Sequence, residues 1–382
     1  MIKVLFIKHD MSSGVNFGGA SQSLLDLIKS VEGEVEPYVL FSQEGMAHDI
    51  FVENGIKCYI HPFTSVVKNN THGRRHLLLH PWRTRIGKWI RFDLPCVFFV
   101  RKLIKEEGID LIHTNIFDST LGWTLQHLLG VKHVWHIREY AISDHVGGEI
   151  TGGRRRLIQK MESADARIVS SKTCSDFWSF KKDNTWIILD AVRSIKDCCY
   201  ESTKQEYILF CSNWLTEGKG AFKAVRSFGM SGLSKKGVHL RFVGNKTGSM
   251  QQALLSLAEE YGCADSLEFL PFQANVRPQF LYAKAFLQPS VNEGMGRTVA
   301  EAMFYGCPVV AYASGGTLDL IENGKTGWLF KTEEECAEIL KRVCSVNQEQ
   351  VILDAQAFAK TNLSIENYGP KVIEVYRAVL KK

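Results

Sequence analysis

The chain has 382 residues, of which 45% are hydrophobic and 23% are charged. This composition is typical of a folded globular protein and not of a disordered or fibrous one, and the length predicts two or three domains. The formal net charge is only +5, so any anionic partner has to be inferred from local clusters of charge.

The 10 cysteines contain no C-x-x-C pair and no zinc spacing. Cys211 and Cys307 lie in apolar surroundings, which predicts buried free thiols in a reducing compartment. The longest apolar runs, such as 97–100, are too short to span a bilayer, and the chain opens on a strand-like run rather than a signal peptide. A cytoplasmic protein is expected, with peripheral attachment to the inner face of the cell membrane as an option.

Strands and helices alternate through the first half of the chain. The predicted strands are residues 2–7, 35–41, 57–61, 110–113, 131–137 and 167–170, and the predicted helices are residues 21–31, 121–129 and 154–163. This alternation predicts a doubly wound parallel sheet. Ligands of such sheets bind beyond the carboxyl ends of the strands, so polar residues there are candidates for function.

Glycines and histidines stand at these strand ends. Gly18 and Gly19 precede the first helix, where they fit a tight turn as well as a loop that a ligand approaches closely. The G-x-G-x-x-G fingerprint is absent, which counts against dinucleotide binding in this half. His113 and His136 each end a strand; a single histidine is more often structural, although a strand end that faces a cleft between domains also suits a catalytic one.

Residues 68–92 combine basic and aromatic side chains and contain no acidic residue. The residues predicted to form an acceptor-binding or membrane-facing surface are Arg74, Arg75, Arg83, Arg85, Lys88 and Trp89. Such a stretch is usually a solvated loop and helix, yet basic side chains beside tryptophans also suit an anionic membrane interface or a phosphorylated lipid-linked acceptor. Nucleic acid is disfavoured, because no recognition module accompanies the patch.

A second set of strands follows a domain junction near residues 188–193. The predicted strands are residues 207–211, 240–244, 267–270, 285–287 and 308–313, and a final helix is predicted within residues 362–380. The predicted domains are residues 1–190 and 191–361, with 362–382 as a C-terminal segment. Lys219 follows the first strand of this half, where it could neutralise a departing phosphate or simply be a solvated lysine.

The stretch 288–316 holds most of the candidate ligand-binding residues. These are Glu293, Gly294, Met295, Gly296, Arg297 and Glu301. A helix is predicted from Arg297, and the start of a helix offers N–H groups and a positive dipole end, so that amides near Met295, Gly296 and Gly316 could hold a phosphate. Glu293 and Glu301, about two helical turns apart, could accept hydrogen bonds from sugar hydroxyls. Alternatively, Glu301 is a solvated residue paired with Arg297.

The spacing of Glu293 and Glu301 within P-S-x-x-E-G-x-G-x-x-x-x-E-A-M resembles the E-x7-E signature of retaining GT-B glycosyltransferases of family four. The segment from Asp319 to Gly327 is similar to the continuation of that signature, with aspartate where glutamate is usual. The resemblance implies an α/β fold of two Rossmann-like domains, whose parallel sheets face each other across a cleft and whose C-terminal helix crosses back to the first domain.

The same resemblance implies transfer of a hexose, with retention of configuration, from a nucleoside diphosphate sugar to a glycan or lipid-linked acceptor in cell-envelope polysaccharide synthesis. It implies that the Gly18-Gly19 loop faces the donor phosphate, that His136 contacts the sugar and that Glu301 holds the ribose. A UDP-sugar is expected rather than a GDP-sugar. No metal or other cofactor is expected, because Lys219 and the helix dipole supply positive charge and a D-x-D triplet is absent.

One motif departs from the family. The pattern G-R-L-x-x-x-K-G pairs an arginine with the lysine, whereas Asn213 and Trp214 stand at the glycine and arginine positions here. Half of the expected diphosphate clamp is therefore missing, with Arg297 as a candidate substitute. A catalytically silent nucleotide-sugar-binding scaffold is the alternative function, and a dinucleotide-dependent oxidoreductase is a less favoured one.

Overall fold

The structure, a computed structural model, describes residues 1–9, 17–69, 87–140, 148–181, 183–291 and 293–381. The chain divides into two compact units. The first consists of Met1–Asp190 and Tyr368–Lys382, and the second consists of Ala191–Asn367. The chain therefore leaves the first unit after Asp190 and returns to it at Tyr368.

The first unit is built on a parallel sheet. Its strands are β1 (Ile2–Lys8), β2 (Val35–Phe41), β3 (Lys57–Ile60), β5 (Leu111–Asn115), β6 (Lys132–Ile137), β8 (Ala166–Val169) and β9 (Thr185–Ile187). Among the described residues these strands lie in the order β3-β2-β1-β5-β6-β8-β9, and all neighbours are parallel. A separate antiparallel pair is formed by β4 (Val67–Asn69) and β7 (Gly148–Ile150).

Helices pack on this sheet and bury its strands. The helices are α1 (Gly19–Ser30), α2 (Met46–Glu53), α3 (Leu94–Glu107), α4 (Leu121–Leu129), α5 (Arg154–Glu162) and α6 (Lys172–Trp178), and a π-helical turn, Trp89–Asp93, leads into α3. One core cluster includes Leu5 and Val100, and another includes Trp135 and Leu157. Strands that are buried on both faces are nearly continuous apolar runs, which is why the sequence identifies them.

The second unit contains a second parallel sheet. Its strands are β10 (Tyr207–Trp214), β11 (His239–Asn245), β12 (Leu267–Leu270), β13 (Ala285–Gln288), β14 (Val309–Tyr312) and β15 (Trp328–Phe330). In the described part of the chain they lie in the order β12-β11-β10-β13-β14-β15. The predicted doubly wound parallel sheets are confirmed in both units. The strand β10 runs beyond its predicted end at Cys211, past an irregularity in its pairing with β11.

The helices of the second unit are α7 (Ala221–Ser231), α8 (Gly248–Glu260), α9 (Arg277–Tyr282), α10 (Arg297–Phe304), α11 (Thr317–Leu320), α12 (Glu333–Ser345) and α13 (Glu349–Asn362). Short 3-10 turns occur at Ile195–Asp197, Leu233–Lys236 and Ala264–Ser266. The core of this unit packs strand residues such as Phe210 and Phe242 against Val225 and Phe228 of α7. These apolar contacts fix the strands whose carboxyl ends carry the candidate site.

The last helix, α14 (Ile365–Lys381), begins in the second unit and continues in the first. Its Tyr368 and Tyr376 are fully buried. A Cβ atom on Gly369 would lie 1.8 Å from the carbonyl oxygen of Ser30, at the end of α1. The helix can approach α1 this closely only because residue 369 has no side chain.

All 10 cysteines are free, and Cys211 and Cys307 are buried as predicted. Burial raises the pKa of both thiols to about 12. Among the described residues, no helix is long and apolar enough to cross a bilayer. The same residues contain no group of three or more histidine, cysteine, aspartate or glutamate side chains placed to hold a metal ion.

Candidate functional site

An ion pair lies at the carboxyl ends of β10 and β13, which are neighbours in the sheet of the second unit. Lys219 follows β10 and Glu293 follows β13. The Nζ atom of Lys219 lies 2.8 Å from Oε1 of Glu293, and Nε2 of Gln288 donates to the same oxygen at 3.1 Å. The lysine side chain is 46% exposed and the glutamate 16%, so a cation and a carboxylate are presented to solvent side by side.

The turn that carries Glu293 is held by close backbone contacts. The N–H of Gly316 donates to the carbonyl oxygen of Glu293 at 2.7 Å. A Cβ atom on Gly316 would lie 2.2 Å from the carbonyl oxygen of Gly294, so only glycine fits there. The Gly316 amide thus stabilises the Glu293 turn, and phosphate binding by amides near Met295, Gly296 and Gly316 stays a prediction.

The helix α10 starts directly after this turn. Gly296, its N-terminal flanking residue, has a φ of 91°, a left-handed conformation that glycine adopts readily. Val299 and Met303 are fully buried and anchor the helix in the core. The first N–H groups of an α-helix have no partner within the helix and lie at its positive dipole end. The predicted helix start close after Glu293 is therefore confirmed as the N-terminus of α10.

Glu301 is paired with an arginine that the sequence did not single out. Its Oε1 accepts from Nη2 of Arg193 at 2.6 Å, and Nε of Arg193 donates to the hydroxyl of Tyr305 at 2.6 Å. Arg297, the alternative partner, instead donates from Nη1 to the carbonyl oxygen of Ala191 at 3.1 Å. The surface pair of Arg297 with Glu301 is thus replaced by a half-buried pair of Glu301 with Arg193.

Sequence reasoning missed Arg193 and Gln288 for different reasons. Gln288 is the last residue of β13, and its position at a strand end was a usable signal. Arg193 is separated from Glu301 by 108 residues, and no local pattern links the two. Only the packing of the 191–195 segment near α10 brings them together.

In the first unit, Gly18 precedes α1 as predicted, whereas Gly19 is already its first residue, two residues before the predicted start of the helix. The carbonyl oxygen of Gly18 accepts from the N–H groups of Ser21 and Gln22, both at 3.0 Å. Gly18 has an extended backbone, and no atom of the described residues lies within 4 Å of the place of its missing Cβ. Neither the backbone conformation nor the described neighbours require glycine at residue 18, and the approach of a ligand to this loop stays a prediction.

His136, the penultimate residue of β6, lies inside a buried polar cluster of the first unit. Its Nε2 lies 3.4 Å from Oδ1 of Asp190, whose Oδ2 accepts from Nε of Arg138 at 2.7 Å. Burial and the nearby Arg138 lower the pKa of His136 to about 4, so its imidazole is neutral near pH 7. Although burial opposes ionisation, Arg138 and His136 hold the pKa of Asp190 well below its usual range.

The cluster continues into α14. The hydroxyl of Tyr368 donates to Oδ1 of Asp190 at 3.1 Å, and the hydroxyl of Tyr376 lies 2.7 Å from Nδ1 of His113. His113 and His136 are both completely buried, with ring centroids 5.3 Å apart. The structure gives both histidines neighbours within the fold, and the contact of His136 with a sugar stays a prediction.

The basic and aromatic surface is described only in part. Arg74, Arg75, Arg83 and Arg85 lie outside the described residues. Lys88 and Trp89 are exposed at the start of the π-helical turn before α3, and Trp89 is 37% exposed. Ile90 and Phe98 are apolar side chains of the same helical segment, and they are 53% and 60% exposed.

Known proteins resemble parts of this chain in sequence. Residues 200–360 match the family model described as "Glycosyl transferases group 1". Curated relatives include an uncharacterised glycosyltransferase of Haemophilus influenzae, 30% identical over 145 residues, and the D-inositol 3-phosphate glycosyltransferase of Mycobacterium tuberculosis, 30% identical over 154 residues. These alignments cover 37% and 38% of this chain, and 40% and 32% of the two relatives.

Solved structures match over nearly the whole chain. HepE of Anabaena, in complex with UDP and glucose, superposes with a TM-score of 0.76 at 19% identity, covering 99% of this chain and 100% of that one. A glycosyltransferase of Rickettsia africae superposes with a TM-score of 0.78 at 15% identity, covering 100% and 99%. At these identities the likeness concerns the fold. The chain therefore has the GT-B fold of two Rossmann-like parallel sheets, and its residues 200–360 are similar to the group 1 glycosyl transferases.

Proposed function

We propose that this protein is a glycosyltransferase that moves a hexose from a nucleoside diphosphate sugar to a glycan or lipid-linked acceptor. The observation that carries the proposal is the ion pair of Lys219 and Glu293 at the carboxyl edge of the second sheet, within the residues matched by the family model. The complexes of HepE with UDP and glucose and with UDP-glucose support a UDP-sugar as the donor class.

The proposed chemistry begins at Lys219. The bond between the anomeric carbon and the diphosphate breaks, its electron pair leaves with the diphosphate, and the acceptor hydroxyl attacks from the same side with retention of configuration. The proton of that hydroxyl passes to the departing diphosphate oxygen. The Lys219 ammonium and the positive end of α10 stabilise the charge that develops on the leaving group. Without donor, Glu293 neutralises Lys219. With donor bound, the ammonium turns to the diphosphate and the carboxylate accepts hydrogen bonds from the sugar.

The remaining roles follow the family resemblance. Glu301 binds the ribose hydroxyls, the Gly18-Gly19 loop faces the donor phosphate, and His136 contacts the sugar near the anomeric carbon. Gly294, Met295 and Gly296 form the turn before α10, and their amides bind the donor phosphate together with the start of that helix. Because these turn residues and Glu293 lie within one short segment, a single turn brings the sugar-binding and phosphate-binding groups together.

The catalytically silent scaffold remains the second candidate function, because Trp214 stands where the pattern of the resembled family has an arginine. Trp214 is 43% exposed at the end of β10. Titration calorimetry with UDP and a UDP-glucose hydrolysis assay separate the two candidates. Binding together with turnover supports the enzyme, whereas binding without transfer or hydrolysis of any donor in a UDP, GDP and dTDP sugar panel supports the scaffold.

Glu293→Ala is expected to lower the rate of transfer by at least about 100-fold, which is effectively its loss, while the protein stays folded. The carboxylate is partly exposed and forms no part of the apolar core, so its loss leaves the packing unchanged. Transfer is measured as UDP release, and folding by circular dichroism. Glu322→Ala, which removes an exposed carboxylate of the same unit, is the matched control and retains activity. Near-normal turnover by Glu293→Ala contradicts the assignment.

We propose that catalysis needs no metal ion, because Lys219 and the dipole of α10 supply the positive charge at the leaving group. Activity in excess EDTA is then expected to stay within about twofold of the untreated enzyme. Activity that disappears with EDTA and returns with Mg²⁺ or Mn²⁺ contradicts this charge scheme.

We also propose peripheral attachment to anionic lipid, consistent with a role in cell-envelope polysaccharide synthesis. Exposed Trp89, Ile90 and Phe98 accompany the basic residues Lys88 and Arg91 on the described part of this helical segment. Such a combination partitions into an anionic interface. Sedimentation with phosphatidylglycerol vesicles is expected for the native protein and reduced for Phe98→Ala. Equal sedimentation with phosphatidylcholine vesicles argues against an electrostatic contribution.

A further inference from the structure

A buried glutamine stands at the carboxyl end of β13, beside the ion pair of the candidate donor site. Gln288 is the last residue of the strand, and its backbone is paired in register with Ala311 of β14. Only 6% of the residue is exposed. Burying a side-chain amide is unfavourable unless its donors and acceptors are used, so the partners of Gln288 show what the amide does.

The two ends of the Gln288 amide have different partners. The Nε2 atom lies 3.1 Å from Oε1 of Glu293, and the Oε1 atom lies 3.4 Å from the hydroxyl oxygen of Thr298, in the first turn of α10. A carboxylate only accepts hydrogen bonds, whereas a hydroxyl can donate one. The NH₂ group of Gln288 therefore has to face Glu293, and Thr298 holds the amide in that orientation.

The described hydrogen bonds to the Glu293 carboxylate go to one of its two oxygens. Oε1 accepts from the Gln288 amide at 3.1 Å and from the Lys219 ammonium at 2.8 Å. Oε2 accepts no hydrogen bond from any residue that the structure describes. Because each carboxylate oxygen has two lone pairs, the protein occupies Oε1 and leaves Oε2 for a ligand.

The two donors to Oε1 differ in charge and in burial. The Lys219 side chain is 46% exposed and carries a charge that a diphosphate attracts. The Gln288 amide is neutral and is held between β13 and α10. When the ammonium turns to the diphosphate, as the proposed chemistry requires, Gln288 is the donor that stays with the carboxylate.

We propose that Gln288 is the positioning residue of Glu293: its amide keeps Oε1 in place while Lys219 turns to the diphosphate, so that Oε2 accepts a hydrogen bond from a hydroxyl of the donor sugar. This inference rests on the proposed transferase function and adds the group that fixes the sugar-binding carboxylate. In this arrangement Gln288 touches neither the sugar nor the diphosphate. Its loss therefore weakens the binding of the sugar and spares the binding of the nucleotide.

The first test compares a ligand that carries the sugar with one that lacks it. UDP-C-glucose, in which a methylene group replaces the glycosidic oxygen, is not hydrolysed, so calorimetry can measure its Kd as well as that of UDP. In Gln288→Leu the Kd for UDP-C-glucose is expected to rise about tenfold, because a hydrogen bond to a charged group is lost, while the Kd for UDP stays within about twofold of the native value. Equal changes in both Kd values, or no change in either, overturn the proposal.

Gln356 provides the matched control, because it is a glutamine of the same unit and is also 6% exposed. Its Nε2 donates to the carbonyl oxygens of Cys199 and Phe304, at 2.7 and 3.2 Å. Gln356→Leu also loses buried hydrogen bonds, so it is expected to lower Tm as Gln288→Leu does, yet to keep the native ratio of the two Kd values. A ratio that changes equally in both variants reports general destabilisation and contradicts the positioning role.

The second test asks whether Gln288 acts through Glu293. Glu293→Ala is expected to weaken UDP-C-glucose binding by itself. Adding Gln288→Leu to it is expected to leave the Kd within about twofold of that of Glu293→Ala, because residues that act as a unit are not additive. Effects that multiply in the double variant show that Gln288 acts independently of Glu293, and the proposal then fails.

The native protein separates this inference from the function on which it rests. A native protein that binds UDP-C-glucose, together with a Gln288→Leu variant that binds it equally well, refutes the positioning role alone. A native protein that binds neither UDP nor UDP-C-glucose refutes the proposed donor class and the positioning role together.

Discussion

In the described part of the first unit, His113, His133 and His136 are completely buried. Burial lowers the pKa of His133 to about 3, and burial together with Arg138 lowers that of His136 to about 4. His133 is anchored by Thr114, whose hydroxyl lies 2.8 Å from its Nε2. Each of these rings is neutral in the folded protein at a pH where the unfolded chain would protonate it.

The stability of the protein is therefore expected to fall as the pH drops below about 6.5. The folded pKa values are depressed, so the unfolded chain binds more protons between pH 6.5 and about 4, and protonation favours unfolding there. Each such histidine contributes a slope of up to about 1.4 kcal/mol per pH unit. Urea unfolding at several pH values measures this slope. His133→Gln should reduce it, whereas His127→Gln, at an exposed ring, should not; equal slopes in all three proteins contradict the account.

At the scale of single elements, the turn between β13 and α10 determines the candidate donor site. It holds Glu293 through the Gly316 amide and sets the start of α10 through the left-handed Gly296. The loop after β10 also lies close to the segment that follows β13, since a Cβ on Gly220 would lie 2.6 Å from the carbonyl oxygen of Pro289. Glycines at these contacts let two loops meet with their backbones touching, which places Lys219 beside Glu293.

Gly316→Ala is expected to displace this turn. Its Cβ would lie 2.2 Å from the Gly294 carbonyl oxygen and 2.5 Å from the α-carbon of Met295, so the backbone has to move. We expect destabilisation of about 2 kcal/mol and a UDP affinity at least about tenfold weaker. Thermal unfolding and calorimetry measure the two effects. Gly248→Ala, at a helix start with open space around it, is the control and should change neither the stability nor the UDP affinity. Native-like UDP binding by Gly316→Ala would show that this turn is not needed to bind the donor.

At the scale of the whole molecule, the chain forms two units, and the first is completed by the C-terminal segment. The helix α14 supplies Tyr368 to Asp190 and Tyr376 to His113, both inside the buried cluster. It packs on α1 through Gly369, where the α1 carbonyl of Ser30 leaves no room for a side chain. The first unit therefore depends on residues that follow the whole second unit in the sequence.

Gly369→Ala is expected to push α14 away from α1 and destabilise the first unit by about 2 kcal/mol or more, because its Cβ would overlap the Ser30 carbonyl. Hydrogen exchange read by mass spectrometry should show faster exchange in β1, β5 and β6, with the second sheet unaffected. Lys371→Ala, at an exposed position of the same helix, is the control. Unchanged exchange in the first unit would show that the contact with α1 is dispensable.

The sequence predicted the strands well, because buried parallel strands are short apolar runs that end at glycine or polar residues. The strands at 35–41 and 267–270 and the helix at 121–129 have the predicted limits. The helix α2 and the edge strand β15 were not predicted. Each is short, and β15 has only three residues, too few for a periodic pattern to stand out.

The sequence by itself determined the two α/β units, the segment that carries Glu293 and Glu301, and the resemblance of that segment to a family of glycosyltransferases. These features depend on local spacing and apolar runs, which the order of residues records directly. Only the tertiary structure decided which side chains meet: Lys219 with Glu293, and Arg193 with Glu301. Such pairs form where strands distant in the sequence end side by side in a sheet, and no local pattern encodes that proximity.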